Sequence, residues 1–173
     1  MTTFPAIADY AFLSDCEIST LVAPDGSVEW LCLPRPDSPS VFGALLDRAA
    51  GNFRFGPTGL DVPNQRRYVP GTNVLETTWH TPTGWLIVWD LLVMGPAPTD
   101  ERRERYRRVP GDTMGQATLL RIATCCDGRV EVQANCVPQF DYGRENGVGM
   151  VNYLTRTKSV AVDLNDYTMD LFA

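Results

Sequence analysis

The chain is organised around the stretch Asp25-Gly-Ser-Val-Glu-Trp-Leu-Cys-Leu-Pro-Arg-Pro-Asp-Ser-Pro-Ser-Val-Phe-Gly-Ala-Leu-Leu46. It begins with a turn over Pro24–Ser27, in which Gly26 can adopt a positive φ without steric cost. The strand Val28–Leu33 follows, and its faces are predicted to be largely buried because apolar residues occur on both. Simple alternation puts one set of side chains on one face, Val28, Trp30 and Cys32, and a second set on the other, Glu29, Leu31 and Leu33.

A proline-rich loop, Pro34–Pro39, ends this strand. Proline cannot donate to a sheet ladder, and it drives the preceding residue away from helical geometry, so the loop is predicted to be stiff and ordered. Ser38 or Ser40 can then cap a short apolar helix over Val41–Leu46.

Three residues of this region are candidates for substrate binding: Arg35 and Asp37 in the loop, and Trp30 in support. A guanidinium can form paired hydrogen bonds to sugar hydroxyls or to a carboxylate, and Asp37 can accept from a hydroxyl. The alternative is a structural corner in which Arg35 and Asp37 brace each other. The sequence alone leaves both interpretations open.

The remainder of the chain favours short strands. Early strands are predicted within Ile7–Ser14 and Ile18–Ala23, and another at Asn52–Phe55. Two hairpins are predicted, and residues 57–71 are assigned to loop. Their strands are Asn73–His80 with Trp85–Val93, and Ala117–Thr124 with Arg129–Val137, the latter about Asp127-Gly128. Further strands are predicted at Val148–Leu154 and Ser159–Leu164.

These patterns predict an all-β fold, an antiparallel β-sandwich with one short helix after the Pro-rich loop. The 173 residues are the length of one ordinary domain, so residues 1–173 are expected to form a single β-sandwich domain.

Composition limits the partners. A net charge of −6 and a pI near 4.7 disfavour nucleic acid and anionic membranes as general partners. No apolar run approaches the ~18 residues of a membrane span, and no signal peptide is visible, so a cytoplasmic location is expected. One local exception is the basic stretch Glu101–Arg108, interpreted as a solvated loop or as a contact with another domain.

The sequence offers few catalytic groups. The single histidine, His80, lies at a strand end without a nucleophile elbow, and a hydrogen-bonded structural role is preferred for it. With one histidine and no Cys-x-x-Cys pair, no metal or cofactor is expected. The vicinal Cys125-Cys126 is interpreted as two strand-end thiols, one inward and one outward. Nothing in the sequence pairs two carboxylates across a cleft, although carboxylates are plentiful. The aspartates considered are Asp9, Asp15, Asp25, Asp37, Asp90 and Asp141.

Several stretches resemble the N-terminal β-domain of bacterial trehalase-like and glucoamylase-like enzymes of glycoside hydrolase family 15. The matching segments are Ile7–Ala11, Leu21–Arg35, Asp37–Phe42, Tyr68–Thr77 and Phe140–Gly143. Ser14 stands where this family usually has glycine, and Pro36 where an aromatic residue is common.

The resemblance implies a β-sandwich that packs on a downstream (α/α)₆ barrel, whose glutamates perform inverting hydrolysis of an α-glucosidic bond. That barrel has no counterpart in this chain, so no catalytic residue is expected here. The expected function is that of a non-catalytic N-terminal domain of a glycoside hydrolase acting on trehalose, or next on malto-oligosaccharides. Its expected partners are the barrel of the same enzyme, the α-glucoside and, through an uncovered apolar face, a second copy of the chain.

The alternative function is a free-standing carbohydrate- or protein-binding module. Such a module normally exposes aromatic side chains as a sugar platform. The candidates Trp79, Trp85 and Trp89 all lie in strands that are predicted to be buried.

Overall fold

Two antiparallel sheets form the part of the chain that the computed structural model describes, residues 4–94 and 117–143. The first sheet contains β1 Ala11–Ser14, β2 Ser19–Val22, β3 Ser27–Cys32, β4 Ser40–Phe42, β5 Asn52–Pro57 and β10 Val132–Val137. The second contains β6 Gln65–Tyr68, β7 Leu75–Thr81, β8 Gly84–Leu92 and β9 Leu119–Gly128. Short 3₁₀ turns lie at Ile7–Asp9 and Phe140–Gly143. The predicted all-β antiparallel sandwich is confirmed.

The two sheets share their core. One cluster of buried residues joins Leu13 of the first sheet to Leu75 and Leu92 of the second, and another joins Phe55 to Trp79. No helix among residues 4–94 and 117–143 is long and apolar enough to cross a bilayer.

The short helix predicted at Val41–Leu46 is wrong. Ser40–Phe42 is strand β4, hydrogen-bonded to β3, and a turn follows in which the Leu46 N–H donates to the Gly43 carbonyl at 2.9 Å. The physical reason is that a branched and an aromatic residue suit a strand, and the edge of β3 supplies a ladder. Six residues gain too little from helical hydrogen bonds to compete with that ladder.

Strict alternation along β3 is also wrong. Val22 lies opposite Val28, and Leu21 lies opposite Trp30, so Glu29 is an extra residue on the bulged strand. Because of the extra residue, the side chains that face the core change from even-numbered to odd-numbered positions along β3. Both Val28 and Leu31 therefore lie in the core.

The β7–β8 hairpin is confirmed about its predicted Thr81–Gly84 turn. The second hairpin is wrong, because β9 pairs with β8 of the second sheet whereas β10 pairs with β5 of the first. The chain therefore crosses between the sheets after Gly128, which has a φ of +66°. Asp127 and Gly128, which were predicted to form the turn, lie instead at the end of β9, and turn residues alone do not specify the sheet that the next strand joins.

Strand β6 lies within the range that was assigned to loop, and its side chains seal the edge of β1. The Tyr68 hydroxyl donates to the Phe12 carbonyl and accepts from the Phe12 N–H, both at 2.9 Å. Arg66 donates to the carbonyls of Asp9 and Val22 at 2.7 and 2.8 Å. The Tyr68 hydroxyl thus occupies edge groups of β1 that would otherwise be open to pairing with another chain. The predicted strands Val148–Leu154 and Ser159–Leu164, and the basic stretch Glu101–Arg108, lie outside the described residues.

A buried ion pair ties the two sheets together. Arg121 of β9 lies opposite Asp90 of β8 and donates to both carboxylate oxygens, at 2.7 and 3.2 Å. It also donates across the sandwich to the carbonyls of Phe53 and Gly26, each at 2.6 Å. Its guanidinium lies 4.9 Å from the Phe53 ring centroid. Both charged side chains are almost fully buried, at 3% and 1% exposure.

Replacing the buried cation should unfold the domain readily. We expect Arg121→Met to lower the free energy of unfolding by ~3–5 kcal/mol, because it leaves Asp90 charged and unpaired in the core. Urea denaturation followed by tryptophan fluorescence measures the loss.

The matched control is Arg35→Met, which breaks an ion pair whose side chains are 73% and 70% exposed. Exposed pairs contribute at most ~1 kcal/mol. A double variant, Arg121→Met with Asp90→Leu, should recover part of the loss because no charge remains buried. Equal costs for Arg121→Met and Arg35→Met would contradict the proposed role of the buried pair.

Gly26 offers a second stability test. It has a φ of +81°, as its turn predicts, and a Cβ there would stand 2.6 Å from the Phe55 carbonyl oxygen. Gly59 also has a positive φ, +71°, but no described atom lies within 4 Å of its Cβ position. Gly59→Ala should therefore cost only the backbone strain of ~1–2 kcal/mol. Gly26→Ala should cost clearly more in the same urea titration, and equal costs would show that the close approach is relaxed easily.

Candidate functional site

The proline loop is closed by its own hydrogen bonds. It starts at a cis Leu33–Pro34 peptide bond. The Arg35 N–H donates to the Ser38 hydroxyl at 3.2 Å, and the Ser38 N–H donates back to the Arg35 carbonyl at 3.0 Å. The backbone of the loop is therefore fixed before any ligand or partner arrives.

Arg35 and Asp37 meet at the surface. Nε of Arg35 lies 3.0 Å from Oδ1 of Asp37, and Nη2 donates to Oδ2 at 3.1 Å, which is the two-pronged geometry of a guanidinium–carboxylate pair. Both side chains are about 70% exposed, at 73% and 70%. This arrangement is the bracing that the sequence allowed. It also keeps the guanidinium accessible, because a solvated pair exchanges partners at little cost.

A shallow depression surrounds this pair. Its lining consists of Glu17 and the loop residues Pro34–Asp37. Trp30 is not among the lining residues. It is half-buried in the β2–β3 ladder, where its carbonyl accepts from the Thr20 hydroxyl at 2.6 Å. The structure thus brings Arg35 and Asp37 together and leaves Trp30 within β3, outside the depression.

A buried polar cluster that sequence reasoning missed lies on the same sheet. Glu29 is 4% exposed, accepts from the Tyr10 hydroxyl at 2.5 Å and pairs with Nη1 of Arg48 at 2.5 Å. Arg48 also packs over the Phe4 ring, 4.4 Å from its centroid. The signal that could have found this cluster is Glu29 itself, since a charged residue in a buried strand requires a counter-charge.

The cluster perturbs both of its neighbouring groups. Burial, followed by the hydrogen bond and charge of Glu29, raises the pKa of Tyr10 from 10.0 to about 12. Burial acts to lower the pKa of Arg48, but the hydrogen bond and charge of Glu29 outweigh it, so the net pKa is raised. Tyr10 and Arg48 are therefore held in the protonated forms that satisfy the buried carboxylate.

The other buried carboxylates are engaged in the same way. Asp90 is paired with Arg121, and Asp15 accepts the N–H groups of Glu17 and Ile18 at 2.9 and 2.8 Å. Hydrolysis of a glycoside needs one carboxylic acid and one carboxylate facing a common cleft. Each buried acid is instead surrounded by donors of the fold. Within the described residues, no three Asp, Glu, His or Cys side chains converge as a metal site would require.

The Phe140–Gly143 turn carries local strain. Asp141 and Tyr142 both have left-handed backbones, with φ of +47° and +58°. Such a conformation costs non-glycine residues ~1–2 kcal/mol each. It places the Tyr142 ring against Gly43, where a Cβ would stand 3.1 Å from a ring carbon.

The tryptophans of the second sheet differ in exposure. Trp79 is fully buried, and the Trp89 indole N–H donates to Glu76 at 3.1 Å. Trp85 is 49% exposed and stacks on His80 with ring centroids 3.8 Å apart, so the expectation that it is buried is wrong. It lies on the outer face, where alternate residues of β8 point away from the core. Cys125 and Cys126 are both exposed, which corrects the inward and outward pair expected of them.

Comparison with known proteins gives one consistent result. The family model described as "Trehalase-like, N-terminal" matches residues 2–144. The trehalase of Mycobacterium tuberculosis is 61% identical over 142 residues, which are 82% of this chain and 21% of that protein. The trehalase of Mycolicibacterium smegmatis is 60% identical over 142 residues, which are again 82% of this chain and 21% of that protein. Trehalase 1 of Sulfolobus acidocaldarius is 28% identical over 148 residues, 80% of this chain and 22% of that protein. No solved structure gave a significant match.

The raised pKa of Tyr10 predicts how the free energy of unfolding should change at alkaline pH. Its pKa is 10.0 without the fold and about 12 within it, so the folded state holds this proton more tightly. The resulting stabilisation is complete below pH 10.0 and is lost as pH rises to about 12. The free energy of unfolding of the native chain should therefore fall more steeply over this range than that of Tyr10→Phe.

Urea titrations of both proteins across that pH range give the two slopes. The two proteins differ only at residue 10, so the difference between the slopes isolates the Tyr10 hydroxyl. Parallel slopes would show that the Glu29 cluster does not hold the Tyr10 proton.

Proposed function

This chain belongs to the family of trehalase-like N-terminal domains, and we propose that it serves as the non-catalytic N-terminal domain of an enzyme that hydrolyses trehalose. The observation that carries the proposal is the 61% identity with a trehalase over 142 residues. The chain spans 21% of the length of that relative and of the M. smegmatis trehalase. The catalytic machinery then belongs to the remaining length, which the family resemblance assigns to an (α/α)₆ barrel.

The placement of the buried acids favours a non-catalytic role for this domain. Glu29, Asp90 and Asp15 are buried and bound by donors of the fold, as described above. An inverting hydrolase uses one acid to protonate the leaving oxygen and one base to activate water on the opposite face of the sugar. The domain would supply a rigid wall beside such a pair.

We assign Arg35 the role of the domain's contact with the site. Its backbone is fixed by Ser38, while its guanidinium is exposed and held only by Asp37. A guanidinium has five N–H donors in a planar fork, so it can keep Asp37 as a partner and still donate to sugar hydroxyls or to a barrel carboxylate. Asp37 would set the direction of that fork. Trp30 would stiffen the strand that leads into the loop.

The second candidate function is a free-standing carbohydrate-binding module. The exposed Trp85 ring, stacked on His80, is the observation that favours it, because an exposed aromatic face is what a sugar platform requires. Trehalose binding by the chain alone, abolished by Trp85→Ala and retained by Arg35→Ala, would select this alternative. Malto-oligosaccharide is the runner-up substrate for the first proposal.

The setting of the enzyme is also proposed. The net charge of −6 and the odd number of cysteines, five, suit a reducing, cytoplasmic compartment. The partners are the barrel of the same enzyme, with a second copy of the chain as a further partner.

Activity should require the rest of a trehalase. We expect purified chain to release no glucose from trehalose. A chimera in which residues 2–144 replace the corresponding region of the M. tuberculosis trehalase should release it. Glucose release by the chain alone would contradict the non-catalytic role.

Arg35→Ala in that chimera should raise KM or lower kcat while the melting temperature stays unchanged, because the lost ion pair is exposed. The control is Arg67→Ala, another exposed arginine, which pairs with Glu76 on the second sheet. Unchanged kinetics for Arg35→Ala, or equal losses for the two variants, would make Arg35 a structural residue.

A further inference from the structure

Four large apolar side chains are exposed around the turn at residues 43–48. Phe4 is 54% exposed, Ile7 76%, Leu46 62% and Tyr142 40%, and we call these four residues the end patch. Apolar side chains exposed together on a folded domain mark an interaction surface.

The members of the end patch are connected by the contacts of that turn. Tyr142 packs on Gly43, whose carbonyl accepts the Leu46 N–H at 2.9 Å. Two residues further on, the Arg48 guanidinium lies over the Phe4 ring.

The Glu29 cluster completes the connection. Arg48 pairs with Glu29, which accepts from the Tyr10 hydroxyl. Tyr10 closes the 3₁₀ turn that begins at Ile7. These contacts tie the segments that carry the four exposed side chains to the turn at residues 43–48 and to the Glu29 cluster.

The support beneath the patch is a set of charge-assisted bonds. Arg48 and Tyr10 both bond to Glu29, which ties the segments that carry Phe4 and Ile7 to β3. Tyr142 is held on Gly43 by the left-handed backbones of Asp141 and Tyr142, a strained arrangement that places its ring at the surface. Preorganised apolar anchors of this kind are what a permanent interface uses.

The end patch also lies at the end of the stretch that the trehalase-like family model matches, residues 2–144. Gly143 follows Tyr142 directly, so the polypeptide continues from the patch itself. In the M. tuberculosis trehalase, the matched residues account for 21% of the protein. A domain that follows closely in sequence has the highest effective concentration at the surface beside the junction.

Resting on the proposed function, we infer that the end patch is the surface on which the catalytic part of a trehalase-length protein docks. Phe4, Ile7, Leu46 and Tyr142 would be its apolar anchors, and the Glu29–Arg48 pair would lie beneath them. The exposed outer face at Trp85 is a weaker candidate, because Trp85 is already covered on one side by His80, and Trp89 is bonded to Glu76.

The test uses the chimera with the M. tuberculosis trehalase described above and reads docking separately from activity. Docked domains unfold in one calorimetric transition, whereas undocked domains unfold in two. We expect one transition for the unmodified chimera. Leu46→Glu and Ile7→Glu should each split it into two and lower kcat/KM for trehalose by roughly tenfold or more, the loss typical of an interface anchor.

Val62→Glu is the matched control, because Val62 is an aliphatic residue of similar exposure, 74%, outside the patch. It should leave one transition and the original kcat/KM. Trp85→Glu tests the competing face, and it should also leave one transition. Each of the four substitutions replaces an exposed apolar side chain, so a general loss of folding would lower the first transition in the controls as well.

Two results would overturn the docking surface: two transitions in the unmodified chimera, or one transition with unchanged kinetics in both patch variants. Splitting caused by Trp85→Glu instead would also overturn it. If the patch variants only dissociate a dimer, as seen by light scattering, the occupant is a second copy and the inference is wrong. If the unmodified chimera cleaves no trehalose but Leu46→Glu and Ile7→Glu still split its single transition, the proposed function is contradicted and the docking surface is supported.

Discussion

The fold depends on one buried cation. Arg121 neutralises Asp90 beside it and donates to carbonyls of Phe53 and Gly26 in the opposite sheet. A guanidinium in an apolar interior is tolerated only when nearly all its donors are used, so its surroundings must adopt one arrangement. That requirement fixes the register between β8 and β9 and the distance between the sheets. It also fixes the Gly26 turn, which leads into the strand that carries the Glu29 cluster and the proline loop.

Local patterns in the sequence predicted those parts of the fold that local physics determines. The β7–β8 hairpin follows from alternation and a turn signal, and the positive φ of Gly26 follows from a turn that only glycine fits easily. The pairing of β10 with β5 was not predictable, because it depends on the space left beside β5 after the rest of the sheet has formed. The bulge at Glu29 is a similar case, since it appears only when β2 and β3 are aligned against a shared core.

The candidate site shows the same division. Arg35 and Asp37 lie two positions apart in a loop stiffened by prolines, so their pairing was foreseeable from their spacing. The partners of Glu29 were not foreseeable, since Tyr10 and Arg48 approach it from opposite directions along the chain. A buried acid indicates that a cation must lie beside it, but only the tertiary structure identifies which residue supplies that cation. The outward position of Trp85 was missed because β8 is apolar on both of its faces.

The long reach of Arg121 has a consequence for synthesis on the ribosome. Its bond to Gly26 spans 95 residues, and its pair with Asp90 spans 31. The acid and the two acceptor carbonyls therefore leave the exit tunnel well before their donor does. Asp90 therefore lacks its Arg121 partner until residue 121 has emerged. Final packing of the two layers consequently requires β9, which supplies this cation and also completes the second sheet.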